Sequence, residues 1–117
     1  MLRPVLFHVR AKEEIRAFPR DVRLKLGSAL MALQRGFNLG PPLSRAMSIV
    51  MPGVEELRLQ GAAGHFRVFY YRKASAGVLV PSAFHKKTRE TPVTEIDRAR
   101  RHLMEMLNEY EEDRGRS

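Results

Sequence analysis

Apolar positions along the chain switch between a two-residue and a helical period, and the switches mark out its elements. Val5-Leu6-Phe7-His8-Val9 alternates and is rich in β-formers, which predicts a first strand. Ala11 to Ala17 suits one or two helical turns. Pro19 then interrupts, because it lacks a backbone donor and restricts Phe18 before it, although it fits the first turn of a following helix. From Arg20 to Arg35, residues Val22, Leu26, Ala29, Leu30 and Leu33 recur at helical spacing, so one face is buried, and Gly36 ends the helix. The two helices are expected to form a hairpin or bent pair packed on a sheet.

The stretch from Phe37 to Pro52 is dense in turn-formers, and also holds Arg45, Met47 and Met51. It reads as a loop with room for a short edge strand around Ser48 to Val50. In Val54 to Gln60, Leu57 and Leu59 point one way while Glu56, Arg58 and Gln60 point the other. His65 to Lys73 is a second strand, and Val78 to about His85 a third. The connections Gly61-Ala62-Ala63-Gly64 and Ala74-Ser75-Ala76-Gly77 are short enough to join antiparallel neighbours as a meander. Thr91 as N-cap and Pro92 at the first position open a last helix, whose stripe is Ile96, Ala99, Leu103, Met106 (or Leu107) and Tyr110. The charged end, from residue 112 on, is expected to fray. The order β-α-α-β-β-β-α, without repeat or linker, predicts one α+β domain over residues 1–117.

Composition narrows the partners. With 21 Lys+Arg against 13 Asp+Glu, the formal charge is +8, a field that draws polyanions by steering and by release of counterions from phosphates. DNA, RNA, the ribosome, an anionic membrane and an acidic protein all satisfy that field. There is no cysteine, which removes disulfides, thiolate catalysis and cysteine-based zinc sites. No segment has the apolar length of a signal peptide core or a membrane span, so a soluble cytoplasmic protein is expected. His8, His65, His85 and His102 lie at no metal-ligand spacing, and His102 reads as a surface or rim residue; no metal or other cofactor is expected.

Candidate chemistry concentrates between His65 and Arg89. His65, Arg67, Phe69 and Tyr71 share one face by alternation, and His85-Lys86-Lys87-Thr88-Arg89 closes the last strand. Cations suit phosphates and aromatic rings suit stacked bases, and Arg58 on the neighbouring strand's polar face can join them. RNA cleavage by the 2′-hydroxyl needs a proton removed, a proton delivered to the 5′-oxygen, and stabilisation of charge on phosphorus. Arginine and lysine supply the last. His85 or His65 can exchange protons near neutral pH, and Tyr70 or Tyr71 is a weaker donor; sequence leaves these alternatives open.

Several segments together resemble the phage-derived HigB-like branch of the RelE toxin superfamily. They are Pro52-Gly53-Val54-Glu55-Glu56-Leu57-Arg58, His65-Phe66-Arg67-Val68-Phe69-Tyr70-Tyr71 and Ala83-Phe84-His85-Lys86-Lys87-Thr88-Arg89-Glu90-Thr91-Pro92, with Glu95-Ile96 and Ala99 following. The aromatic-x-Lys-Lys-Thr-x-x-Thr-Pro block is the most specific of them. The resemblance implies a microbial-RNase-like fold and ribosome-dependent cleavage of mRNA, independent of metal. It also implies neutralisation by a cognate antitoxin, often of helix-turn-helix type. By position it makes Arg67 the central arginine, Arg58 a basic position on the preceding strand, and Lys86, Lys87 and Arg89 the closing cluster. Arg67, Lys86, Lys87 and His85 are thus the catalytic candidates, with Arg58, Arg89, Tyr71 and His65 as RNA contacts. Two features depart from the superfamily's pattern: no tyrosine or histidine assists from the chain end, where Tyr110 lies far along a helix, and His85 replaces an aliphatic residue.

An endoribonuclease toxin is the leading expectation. A phage or plasmid module that grips nucleic acid without cutting it uses the same basic face. So does a structural protein whose basic surface serves only an acidic partner.

Overall fold

The computed structural model describes residues 2–115, with side chains described through Tyr110. Its elements are β1 (Val5–Phe7), α1 (Val9–Arg16), α2 (Arg20–Gln34), β2 (Ser44–Ala46), β3 (Val54–Gly61), β4 (Gly64–Tyr71), β5 (Val78–Lys86) and α3 (Val93–Gly115). They form a five-stranded sheet in the order β1-β5-β4-β3-β2. The architecture is the expected α+β one, with two additions. β1 pairs with β5 in parallel, so the sheet is mixed at one edge. The short edge strand falls at Ser44–Ala46, not around Ser48 to Val50, because Ser44 and Ala46 are the residues that find register against Leu57 and Glu55. The fraying expected from residue 112 concerns side chains outside the described ones.

Helices cover both faces of the sheet. On one, α1 and α2 bury Ala11, Val22, Leu26 and Leu33 against Leu57, Leu59, Phe66, Val68 and Tyr70. On the other, α3 buries Ile96, Ala99, Leu103 and Met106 against Val54, Phe69, Leu79 and Phe84. A strand covered on both sides loses its polar alternation, which is why β4 and β5 read as near-continuous apolar runs. Each large buried side chain contributes roughly 1.5–3 kcal/mol.

Pro81 sits in the middle of β5 and is accommodated by an irregularity in the register. Phe69 pairs with Ser82 but Tyr71 pairs with Leu79, so Val80 and Pro81 together oppose Tyr70. The extra residue reverses which side of β5 faces which helix. Val78 and Val80 face α1 and α2 before it, and Ala83 does so after it; Leu79 and Phe84 face α3.

The Pro81 carbonyl accepts a hydrogen bond from His102 Nδ1 at 3.0 Å. His102 is therefore buried, contrary to the rim position its sequence suggested. Ala99, Leu103 and Met106 carry it into the α3 interface, where it stacks on His8 with ring centroids 3.7 Å apart. His8 Nδ1 accepts from the Arg10 amide as the N-cap of α1, and His8 Nε2 lies 2.7 Å from Glu105.

Burial lowers the His102 pKa below its ordinary value of 6.5, and the Pro81 carbonyl only partly opposes this. A histidine held neutral in the fold stabilises fully above about pH 6.5 and loses that stability as pH falls through the lowered folded value. Glu105 also titrates low, because His8 hydrogen-bonds it, so its contribution is present above about pH 4.5 and is lost as pH falls from there through the lowered folded value. Thermal unfolding between about pH 7 and pH 5 should show the midpoint falling, and His102→Asn should flatten that slope. An unchanged slope would mean that His102 does not titrate with unfolding.

Candidate nucleic-acid interface

α3 covers only part of its sheet face, and the remainder carries the charge. Leaving the α3 cluster along β3 and β4, the next residues on that face are Glu56, Arg58, Arg67 and His65. Arg58 and Arg67 are direct cross-strand partners, and His65 faces Lys86. Like charges opposed across strands cost stability, so this pairing is not explained by folding. Arg45 on β2 adds a further cation opposite Glu56.

Glu56 sits at the centre and is fully buried. Its Oε1 lies 3.5 Å from Arg45 Nε and 3.7 Å from Arg67 Nε, while Oε2 accepts a bond from the Thr91 hydroxyl at 3.3 Å. Thr91 thus serves this carboxylate, and Pro92 instead takes the position ahead of α3, its carbonyl accepting from Glu95 and Ile96. Glu56 Oε1 and Arg67 Nε are both buried without a hydrogen-bond partner. Their separation gives Coulomb attraction but leaves both polar atoms short of a bond, and a buried orphan costs roughly 1–3 kcal/mol.

Arg67 is only 5% exposed, and Nη1 donates to the Phe66 carbonyl at 3.3 Å. Burial lowers its pKa, Glu56 opposes the shift, and Arg58 and Arg45 add to it. Lys86 belongs to the same field. Desolvation lowers its pKa first and Arg67 next, Glu56 opposes the shift, and Arg58 and Arg45 add to it. The Lys86 ammonium also donates to the carbonyls of Thr88 and Arg89, holding the loop after β5.

The other sequence candidates divide. Lys87 and Arg89 are exposed in that loop, beyond the strand. His85 points to the opposite face, where its ring stacks on Phe66 at 4.4 Å beside Gly64. The irregularity at Val80-Pro81 is the cause, since it places Lys86 with Arg67 and turns His85 away. Tyr71 shares the Arg67 face but sits at its far end, packed with the α3 cluster under Gly53. Phe69 is fully buried, so no base can stack on it. The Tyr70 hydroxyl is hydrogen-bonded to Ser44 at 2.6 Å within the core, where no substrate reaches it, and burial raises its pKa. Sequence reasoning missed Glu56, Arg45 and Thr91 as parts of this face. Alternation had placed Glu56 beside Arg58, but its burial depends on β2 and on the start of α3.

The arrangement can hold an anion. Arg45 and Arg67 flank one buried carboxylate, with Arg58 paired to Arg67 and Lys86 in the same field, a donor set that suits phosphate and not a metal ion. Among the described residues no group of three or more His, Asp or Glu is placed to hold a metal ion. No helix among them is long and apolar enough to cross a membrane.

Among solved structures, a mutant of the E. coli toxin RelE in the free state is similar with a TM-score of 0.59 and 22% sequence identity, covering 82% of this chain and 95% of that one. The fold is therefore RelE-like. The family model described as "Phage derived protein Gp49-like" matches residues 13–104, well over half of the chain, and the chain belongs to that family, a RelE-like toxin family. No curated protein matches the chain significantly.

Proposed function

We propose that this chain, as one domain spanning residues 1–117, is the toxin of a type II toxin-antitoxin system that cleaves mRNA on the ribosome. The observation that carries the reading is the paired Arg58 and Arg67 beside Lys86, on the part of the sheet beyond the α3 cluster. In this reading the scissile phosphate docks between those cations. The 2′-oxygen loses its proton and attacks the adjacent phosphorus, the P–O5′ bond breaks, and the 5′-oxygen takes a proton as it leaves. Arg67 and Lys86 stabilise the charge that builds on the phosphoryl oxygens, without a metal. Arg58, Arg89 and Lys87 hold flanking phosphates.

Between the two histidines, His65 is the one on the Arg67 face, opposite Lys86, and it is exposed to substrate. His65 is therefore our proton-transfer candidate, and His85 is not. His65→Gln should lower the cleavage rate, measured on translated message, while His85→Gln should leave it unchanged. The reverse pattern would reassign the role. Action on ribosomes places the protein in the cytoplasm, with a cognate antitoxin of helix-turn-helix type as its partner. Expression should arrest growth, and co-expression of an adjacent small DNA-binding protein should relieve the arrest.

A second reading keeps the basic face and drops the chemistry. It is favoured by the scarcity of proton-transfer groups, because Tyr70 is buried and His85 faces away. A pure RNA-gripping module would leave message ends unchanged.

A further inference from the structure

Lys86 differs from every other lysine of the chain in what surrounds its amine. The five are Lys12, Lys25, Lys73, Lys86 and Lys87, and of these Lys86 alone is partly covered. Its ammonium donates two of its three N–H bonds to the carbonyls of Thr88 and Arg89, at 2.7 and 2.5 Å. When the third proton leaves, both hydrogen bonds persist, and the lone pair points away from the loop that they hold. Desolvation, Arg67, Arg58 and Arg45 favour that neutral form. Glu56 opposes it, but this carboxylate is already flanked by Arg45 and Arg67. An amine with a free lone pair is a nucleophile, and here it stands among cations able to hold a phosphate.

We propose that Lys86 is acylated by small acyl phosphates, without an acylating enzyme, and that this modification silences the basic face. The inference rests on the anion-holding part of the function proposed above and not on cleavage. Arg58 and Arg67 hold the phosphate of the donor, which sets the acyl carbon, one bridging oxygen away, against the Lys86 nitrogen. The lone pair forms the C–N bond, the bond from the acyl carbon to the bridging oxygen breaks, and phosphate leaves with that electron pair. The surplus proton on nitrogen passes to the departing phosphate. The cations that position the donor thus also stabilise its leaving group. Thioester donors, which have no phosphate next to the acyl carbon, gain nothing from this geometry. The product amide carries no charge and one N–H in place of three, so the Thr88 or the Arg89 carbonyl loses its donor. Acylation therefore removes a cation from the face and loosens the loop that carries Lys87 and Arg89.

The test treats the full-length chain near neutral pH with acetyl phosphate, or with N-acetoxysuccinimide as an uncharged acetyl donor. Fragment-ion mass spectrometry then reads each lysine. Acetyl phosphate should modify Lys86 at least about tenfold faster than any of the other four. The uncharged donor should show a much smaller preference, and excess inorganic phosphate should suppress only the reaction with acetyl phosphate. Arg58→Gln, at an exposed position, should slow acetylation of Lys86 by acetyl phosphate more than by the uncharged donor. Binding of a labelled single-stranded RNA, followed by fluorescence anisotropy, should weaken in step with Lys86 occupancy. Lys86→Arg should keep its RNA affinity through the same treatment. Equal rates at all five lysines would overturn the proposal. An equal preference with the uncharged donor would do so too, because the amine alone would then explain it. Selective acetylation in a chain that cuts no RNA would sink the ribonuclease reading and support this one; cleavage without selective acetylation would do the reverse.

Discussion

Arg67→Ala should reduce RNA cleavage by about 10²–10³-fold, the usual cost of removing one preorganised group that stabilises developing negative charge. The guanidinium is buried, directly opposes Arg58, and lies within the field of Lys86. A cation held in this desolvated position acts on a phosphoryl oxygen more strongly than one in open water. The same substitution leaves Glu56 buried with the exposed Arg45 and the more distant Lys86 as its charged neighbours, so it also costs stability. Arg67→Lys separates the two effects. It keeps a positive charge near Glu56 and should fold, but it lacks the planar fork that grips a phosphate, so cleavage should still fall. Rates normalised to the folded fraction, measured by circular dichroism, make the comparison. Full activity in folded Arg67→Lys would show that charge alone matters at this position.

The second large effect is on stability. Glu56→Gln should destabilise the fold by about 3–5 kcal/mol, because it leaves the buried Arg67 guanidinium without a counter-charge. Arg58, Arg45 and Lys86 then repel it unopposed. That is a large share of the roughly 5–15 kcal/mol that holds a small domain together. Glutamine preserves the shape and can still meet the Thr91 hydroxyl, so the loss reports charge and not packing. Chemical denaturation of Glu56→Gln, Arg67→Gln and the double variant forms a cycle. The double variant should be more stable than the sum of the singles predicts, by an amount in the range of about 0.5–3 kcal/mol found for neighbouring groups. Simple additivity would mean that the two groups, 3.7 Å apart, do not act as a pair.

The sequence made the elements legible wherever the period was long enough to read. The stripe Val22, Leu26, Ala29, Leu30, Leu33 is the buried face of α2, residue for residue. The alternation that put Glu56 and Arg58 on one side and Leu57 and Leu59 on the other is also the observed one. β2 escaped because three residues, two of them exposed, carry no period, and its register is set by β3 and not by its own sequence. The parallel pairing of β1 escaped for the same reason.

The basic face was legible in kind but not in membership. Arg58, Arg67 and Lys86 stand on neighbouring strands of one face. His85 groups with them in sequence because it adjoins Lys86 and Lys87, and adjacency does not say which face of the strand each residue takes. Glu56 was visible as a polar residue, but its burial comes from β2, Thr91 and α3, all distant in sequence. Phe69 reads as a stacking ring and Tyr70 as a weak proton donor because nothing local shows that helices cover the sheet on both sides.

The most direct test of the central claim is primer extension on a translated message in cells expressing the chain. The account requires new 5′ ends within the translated region that appear with the wild-type protein and vanish with Arg67→Ala expressed at equal level. Growth arrest with no new ends, or the same ends from Arg67→Ala, would contradict it.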